Sequence, residues 1–246
     1  MAPVKYIEAV RGVLTFLENN QIDKIEQSAD LVVESLRNGG AVFCAGIGHN
    51  NQDDFLGRAG GLAALNPFTF SFNMNSPVAE CLINRPRVKP FEADIETVRF
   101  AVRSSELRPG DVMVLGSVSG RNRVPVELAI ACREAGAKVI GITSMDYTAR
   151  VESLHPSHKR LFEVVDVVID NGAPYGDAAV DIPGFDFKLL PVSGVAAVVS
   201  GWMLWGRVME KMAALGDPPS VYMSVNSDGG QEYIDKSKAQ LDKRGY

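Results

Sequence analysis

Two stretches at the start of the chain repeat apolar residues at helical steps. In "YIEAVRGVLTFLEN" Ile7, Val10, Leu14 and Leu17 fall three or four residues apart, the spacing of one helix face. From about Ile22 to Leu36 a second helix is expected, with Ile25, Ala29, Val32 and Leu36 along one side. "RNGG" stops it, because glycine takes the positive φ of a helix C-cap without strain.

The pattern then changes period. Short continuous apolar runs, "AVFCAG" (41–46), "VMVLG" (112–116), "KVIGITS" (138–144) and "VVDVVID" (164–170), alternate with the helical patterns "DIETVRFAVRSSEL" (94–107) and "VPVELAIACREAGA" (124–137). Val/Ile-rich strands of this kind are buried on both faces, and the intervening helices make right-handed crossovers between parallel neighbours. The fold class is therefore α/β, doubly wound, with "RPGD" (108–111) and "EAGAK" (134–138) as helix-to-strand turns. The segment from Pro67 to Glu92 shows no clean period and reads as an irregular insertion, a functional loop or a partner contact. A last long helix, about Val195 to Leu215, is apolar nearly all round in its first half and carries Trp202 and Trp205, which suits a central core helix or a dimer seam. A single domain is expected over 1–246, with N-terminal helices at 1–38, the α/β core at 39–220 and a C-terminal tail at 221–246.

Composition narrows the partners. A chain of 246 residues, 46% hydrophobic and 22% charged, has ample material for a core, and its net charge of -5 offers no basic footprint for nucleic acid or an anionic membrane. Arg121 and Arg123 still form a local positive cluster for a small anion. The uncharged stretch from Val192 to Gly206 is too short to span a bilayer, and the charges in "MAPVKYIEAVRGVL" occupy the place of a signal peptide's apolar core, so a cytoplasmic protein is expected. Cys44, Cys81 and Cys132 have neither zinc-site nor disulfide-framework spacing and are expected as reduced structural thiols.

Candidate chemistry lies where strands end, since open parallel sheets bind ligands outside their carboxyl ends. In "LGSVSGRNRVPVELA" (115–129) Ser117 and Ser119 follow a strand, Gly120 lets backbone approach a ligand, and Asn122 is placed to cap the next helix, with Pro125 in its first turn. Hydroxyls and free amides at a helix N-terminus form an anion site. "CAGIGHNNQDD" (44–54) carries G-x-G, but Asn51 stands where a dinucleotide fingerprint has its third glycine, so a nicotinamide cofactor is the lesser reading. His49 and Asn50 are polar groups at that strand end, and "NGAPYGDAAV" (171–180) puts Asn171, Gly176 and Asp177 on a third loop.

Taken together, "GIGHNNQDDFLGRAGGL", "GSVSGRN-x-VP-x-E-x-A", "GAKVIGITS", "SLHPSHKRL", "DVVIDNGAPYGDAAV" and "SVNSDGG" resemble the sugar isomerase (SIS) domain family, in order from about residue 20 to 230, and within it stand-alone phosphosugar or phosphoheptose isomerase-like proteins. The resemblance implies a three-layer α/β/α architecture with a five-stranded parallel sheet, a homodimer with sites near the subunit interface, and a phosphorylated sugar as ligand. It places the phosphate on Ser117, Ser119, Gly120, Arg121 and Asn122 and the sugar toward Gly48, His49, Asn50, Asn171 and Asp177. Aldose–ketose isomerisation passes through an enediolate, for which Glu80 is the candidate base and His155 the candidate ring-opening histidine, with neither metal nor cofactor required. Glu127 is expected to be structural. The sequence also departs from the family: Ile47 and Asn50 replace the serines of its G-S-G-H-S loop, and Val118 replaces the asparagine of S-N-S-G. These changes keep open a non-catalytic phosphosugar sensor, or a lyase, etherase or deglycase acting on a phosphosugar.

Overall fold

A computed structural model describes residues 1–48, 52–86 and 92–246. The elements run α1 (Ala2–Asn20), α2 (Ile22–Arg37), β1 (Val42–Gly48), β2 (Leu65–Phe68), α3 (Ala93–Ser104), β3 (Val112–Gly116), α4 (Arg123–Glu134), β4 (Lys138–Thr143), α5 (Met145–Thr148), β5 (Val167–Asp170), β6 (Ala178–Val180), β7 (Leu189–Pro191), α6 (Ser193–Ala214) and α7 (Gly230–Arg244). The main sheet has five parallel strands in the order β2-β1-β3-β4-β5, and β6 and β7 form a separate antiparallel ribbon.

Alternation along each strand sends successive side chains to opposite faces, and both faces are covered. Val42, Cys44, Val112, Val114, Ile140, Ile142 and Ile169 pack with residues of α2 and α6, including Ala29, Val32, Leu204 and Trp205. Phe43, Ala45, Met113, Leu115 and Val139 pack with α3 and α4 through Val98, Val102, Val126, Leu128 and Cys132. The result is the expected three-layer α/β/α sandwich.

Three elements differ from the sequence expectation. β2 straddles the start of what reads as the irregular insertion; its exposed Asn66 and Pro67 break the apolar run, and Pro67 is tolerated because β2 is an edge strand. α1 packs through Val13 and Leu17, with Tyr6, Val10 and Phe16, against Ala173, Val192 and Ala196, whereas Ile7 and Leu14 remain 49% and 37% exposed. Residues 221–246 form α7 after an isolated bridge from Val221 to Leu62, so this segment is more than a tail, and Leu241 and Tyr246 pack on the α2/α6 core. Cys44 and Cys132 are buried, which pushes each thiol up to about 12, while Cys81 is exposed on the 3-10 turn Glu80–Leu82.

An ion-pair network laces α2 to α6. Arg207 meets Glu26 at 2.5 Å and Glu210 at 2.7 Å, and Lys211 meets Glu26 at 2.5 Å and also pairs with Asp30. Hydrogen bonds from Arg207, then Lys211, hold the Glu26 carboxyl down at about 2 against an ordinary 4.5. A depressed folded-state value means the contribution is fully present above pH 4.5 and is lost as pH falls toward 2. Urea midpoints of the native protein and Glu26→Gln should thus differ at pH 7 and converge near pH 2; a gap independent of pH would remove Glu26 from the acid response.

Candidate functional site

The strand order changes direction at β1: the chain steps outward to β2 on one side, and β3, β4 and β5 extend on the other. Such a switch point opens a crevice at the carboxyl ends of the two diverging strands. Its walls here are the end of β1 and the turn 117–122 that joins β3 to α4. β1 reaches Gly48, which pairs with Gly116 after a register shift beyond Cys44, so Gly48 belongs to the strand end. His49 and Asn50 lie outside the described residues.

The turn is fixed from behind. Ser117 N–H donates to Ile142 O at 3.0 Å, prolonging the β3–β4 ladder, and Gly120 N–H donates back to Ser117 O at 3.1 Å. Three of its carbonyls accept bonds from the protein: Val118 from Ser144 N–H (3.0 Å) and Thr143 Oγ1 (3.2 Å), Gly120 from Leu161 N–H (2.7 Å), and Arg121 from Leu154 N–H (2.9 Å). With these carbonyls held inward, the N–H groups of Ser119 and Arg121 meet no acceptor among the described residues. Gly120 sits at φ +61°, the left-handed conformation that lets successive amides converge.

At the start of α4, Asn122 occupies the N-cap position, is exposed, and makes no side-chain cap bond, which corrects its expected capping role. The first-turn amides are left without a side-chain acceptor, and Pro125 in that turn has no N–H to satisfy. Arg121 is half-buried, and its Nε meets no hydrogen-bond partner among the described residues. Arg123 does not join it: Nε binds Asp94 Oδ2 at 2.5 Å and Nη2 lies 3.2 Å from Glu92, so the expected Arg121–Arg123 cluster reduces to Arg121. The Arg123 bond in turn holds the Asp94 carboxyl below its usual range.

Three further expected site groups make internal bonds. Asp177, at φ +66°, caps α6, its carboxylate accepting from Val192 N–H (3.2 Å), Ser193 N–H (2.9 Å) and Ser193 Oγ (2.6 Å). Asn171 is buried and turns the chain after β5 by accepting from Ala173 N–H at 3.0 Å. His155 is 6% exposed with both ring nitrogens engaged, Nε2 by Glu127 Oε2 at 2.7 Å and Nδ1 by Ser157 Oγ at 2.7 Å. A ring held in this way keeps no described nitrogen free, although it borders a surface cavity together with Arg99, Ser157 and Lys159. Glu127 is 1% exposed and also meets Arg99 at 2.5 Å; this buried pairing is what sequence reading missed, because the two partners come from α4 and the loop after α5. Glu80 is exposed and belongs to no described ion pair. Among the described residues no group of three or more His, Cys, Asp or Glu side chains is placed to hold a metal, and no helix is long and apolar enough to cross a membrane.

Comparison with known proteins places this geometry. The family model for the SIS domain matches residues 5–144, a stretch containing α1 through β4 and the turn 117–122. A UPF0309 protein of Listeria innocua is 34% identical over 244 residues, covering 97% of this chain and 94% of its own. Another from Caldanaerobacter subterraneus is 34% identical over 247 residues, covering 96% and 97%. In fold, the chain is similar to phosphoheptose isomerase GmhA from Neisseria gonorrhoeae, with a TM-score of 0.51 at 16% identity over 82% of this chain and 94% of that one. It is similar also to the sugar isomerase domain of an RpiR transcription factor from Sphaerobacter thermophilus, with a TM-score of 0.50 at 15% identity over 98% of both chains.

Proposed function

Because this chain belongs to the SIS-domain family, we propose that it binds a phosphorylated sugar, with the phosphate seated in the turn 117–122. The observation that carries this reading is the turn itself: carbonyls tied inward, amides of Ser119 and Arg121 without acceptors, and an uncapped α4 N-terminus, all at the switch point of the sheet. Ser117, Ser119, Gly120, Arg121 and Asn122 form the cradle, and the sugar extends toward Gly48, His49 and Asn50. Asn171 and Asp177 shape the neighbouring wall through the turn and cap they make. A homodimer fits the same reading, with the exposed Val4, Ile7 and Leu14 of α1 as apolar surface for a second copy.

The reaction proposed on that sugar is aldose–ketose isomerisation, in which a base carries a proton between C1 and C2. Asp94, Glu127 and Asp177 have internal partners and Asp170 accepts from Met145 and Gly172 N–H; the carboxylate proposed as base is Glu80, exposed on the 3-10 turn Glu80–Leu82 and in no described ion pair. His155, whose two ring nitrogens already have internal partners, favours a second reading, a phosphosugar-binding protein without turnover. Sugar phosphates that raise the melting temperature can be incubated in heavy water and read for deuterium at C2. Exchange that disappears in Glu80→Gln supports the isomerase; binding without exchange supports the second reading.

For the phosphate itself, Ser119→Ala should weaken inorganic phosphate and sugar phosphates alike by about tenfold, the loss of one hydrogen bond to a charged group. An unchanged dissociation constant would place the phosphate elsewhere.

A further inference from the structure

We propose that Glu127 and His155 are positioning residues for the phosphate turn, acting through the strap of residues 153–161 that lies across it; the proposal rests on the phosphosugar reading of that turn. The strap touches the turn at two successive carbonyls, with Leu161 N–H on Gly120 O at 2.7 Å and Leu154 N–H on Arg121 O at 2.9 Å. These two bonds hold the peptide planes that aim the amides on the other side of the turn. Strap and turn are not continuous in sequence, so something must hold the strap at that height.

His155 does so. Its N–H donates to Ser153 Oγ at 3.0 Å, and Ser153 Oγ donates to Lys159 O at 2.6 Å, which folds the strap around the ring. Ser157 N–H donates to Nδ1 at 3.1 Å, so Nδ1 is an acceptor and the ring proton resides on Nε2. That proton is donated to Glu127 Oε2 at 2.7 Å. Glu127 stands on α4, the helix the turn itself opens, so turn, helix and strap close into one loop of contacts. Arg99 of α3 neutralises the second carboxylate oxygen at 2.5 Å and is shared with Glu134 at 2.9 Å. Burial alone would lower the Arg99 guanidinium, but the charges of Glu127 and Glu134 outweigh it and push it up. The groups bonded to the imidazole are thus Glu127 from α4, with Arg99 of α3 behind it, and Ser157 from the strap, while Ser153 holds the His155 backbone. A buried carboxylate and a buried imidazole are costly unless partnered, and here the pairing ties the strap to α4 while Arg99 ties α4 to α3.

The test is inorganic phosphate binding by calorimetry, below the melting temperature, on the full chain and on Glu127→Ala, Glu127→Gln and Ser153→Ala. Glu127→Ala should bind phosphate about tenfold more weakly, and Glu127→Gln, which still offers an acceptor to Nε2–H, should recover most of that loss. Ser153 is outside the buried pair, so Ser153→Ala keeps the question open to measurement if Glu127→Ala does not fold; a loss of about threefold is expected. Folded Glu127→Ala or Ser153→Ala binding phosphate as tightly as the native chain overturns the positioning role and leaves the phosphate site standing. No phosphate binding by the native chain overturns the site and the positioning role together.

Discussion

Gly201→Val should lower the stability of this protein by about 3 kcal/mol or more and its melting temperature by roughly 6–12 °C. Gly201 is buried in the middle of α6, where glycine is about 1 kcal/mol worse than alanine on helix propensity alone. Contact dominates that gain. A Cβ at this position would lie 2.2 Å from Cζ of Phe55 and 2.6 and 2.9 Å from two further ring atoms. Phe55 is 1% exposed and wedged edge-on against Trp202 at 5.7 Å and Trp205 at 6.1 Å, so the ring has no free space to enter. The check is a double-mutant cycle with Phe55→Ala, itself expected to cost about 3–5 kcal/mol. The double variant should be more stable than the sum of the singles predicts, by about 1–3 kcal/mol. Strict additivity would show that α6 yields elsewhere.

The same helix shows why some of this architecture is readable in sequence and some is not. Ile25, Ala29, Val32 and Leu36 are all buried because α2 has one apolar stripe and one surface to cover, so the period determines the face. α1 carries apolar residues on more than one side, and period alone cannot choose between Ile7 with Leu14 and Val13 with Phe16; contact with Gly172, Ala173, Val192 and Ala196 decides it. β2 escapes the pattern because Pro67 is a signal against a central strand and silent about an edge one. At the site, the phosphate turn is legible because its donors are adjacent in sequence. The internal bonds of Asp177 and His155 are not legible for the opposite reason: their partners, the start of α6 and Glu127, come from other elements. Arg123 follows the same rule, since only the fold brings Asp94 beside it.

The largest functional effect is expected at Gly120, where Gly120→Val should reduce phosphate and sugar-phosphate affinity by a factor on the order of 100 or more while the chain still folds. At φ +61° any L side chain is strained by about 1–2 kcal/mol, and here there is also no room: the new Cβ would stand 2.9 Å from Thr148 Oγ1 and 3.1 Å from Thr143 Oγ1, both on fully buried threonines. To relieve both, the residue must leave the left-handed region. Its N–H then leaves Ser117 O and its carbonyl leaves Leu161 N–H, the bonds that hold the turn to β3 and to the strap. The amides of Ser119 and Arg121 rotate with it, so the cradle is lost as a unit. Gly120→Ala/Thr148→Ala set beside Gly120→Ala weighs the nearer contact against the rest, because removing the Thr148 hydroxyl leaves the Thr143 contact and the φ strain in place. That double variant should regain part of the affinity but not all of it. Calorimetry with inorganic phosphate, beside thermal shifts with sugar phosphates, reads the outcome. A folded Gly120→Val chain that keeps its full phosphate-dependent rise in melting temperature would falsify the assignment of the phosphate to this turn.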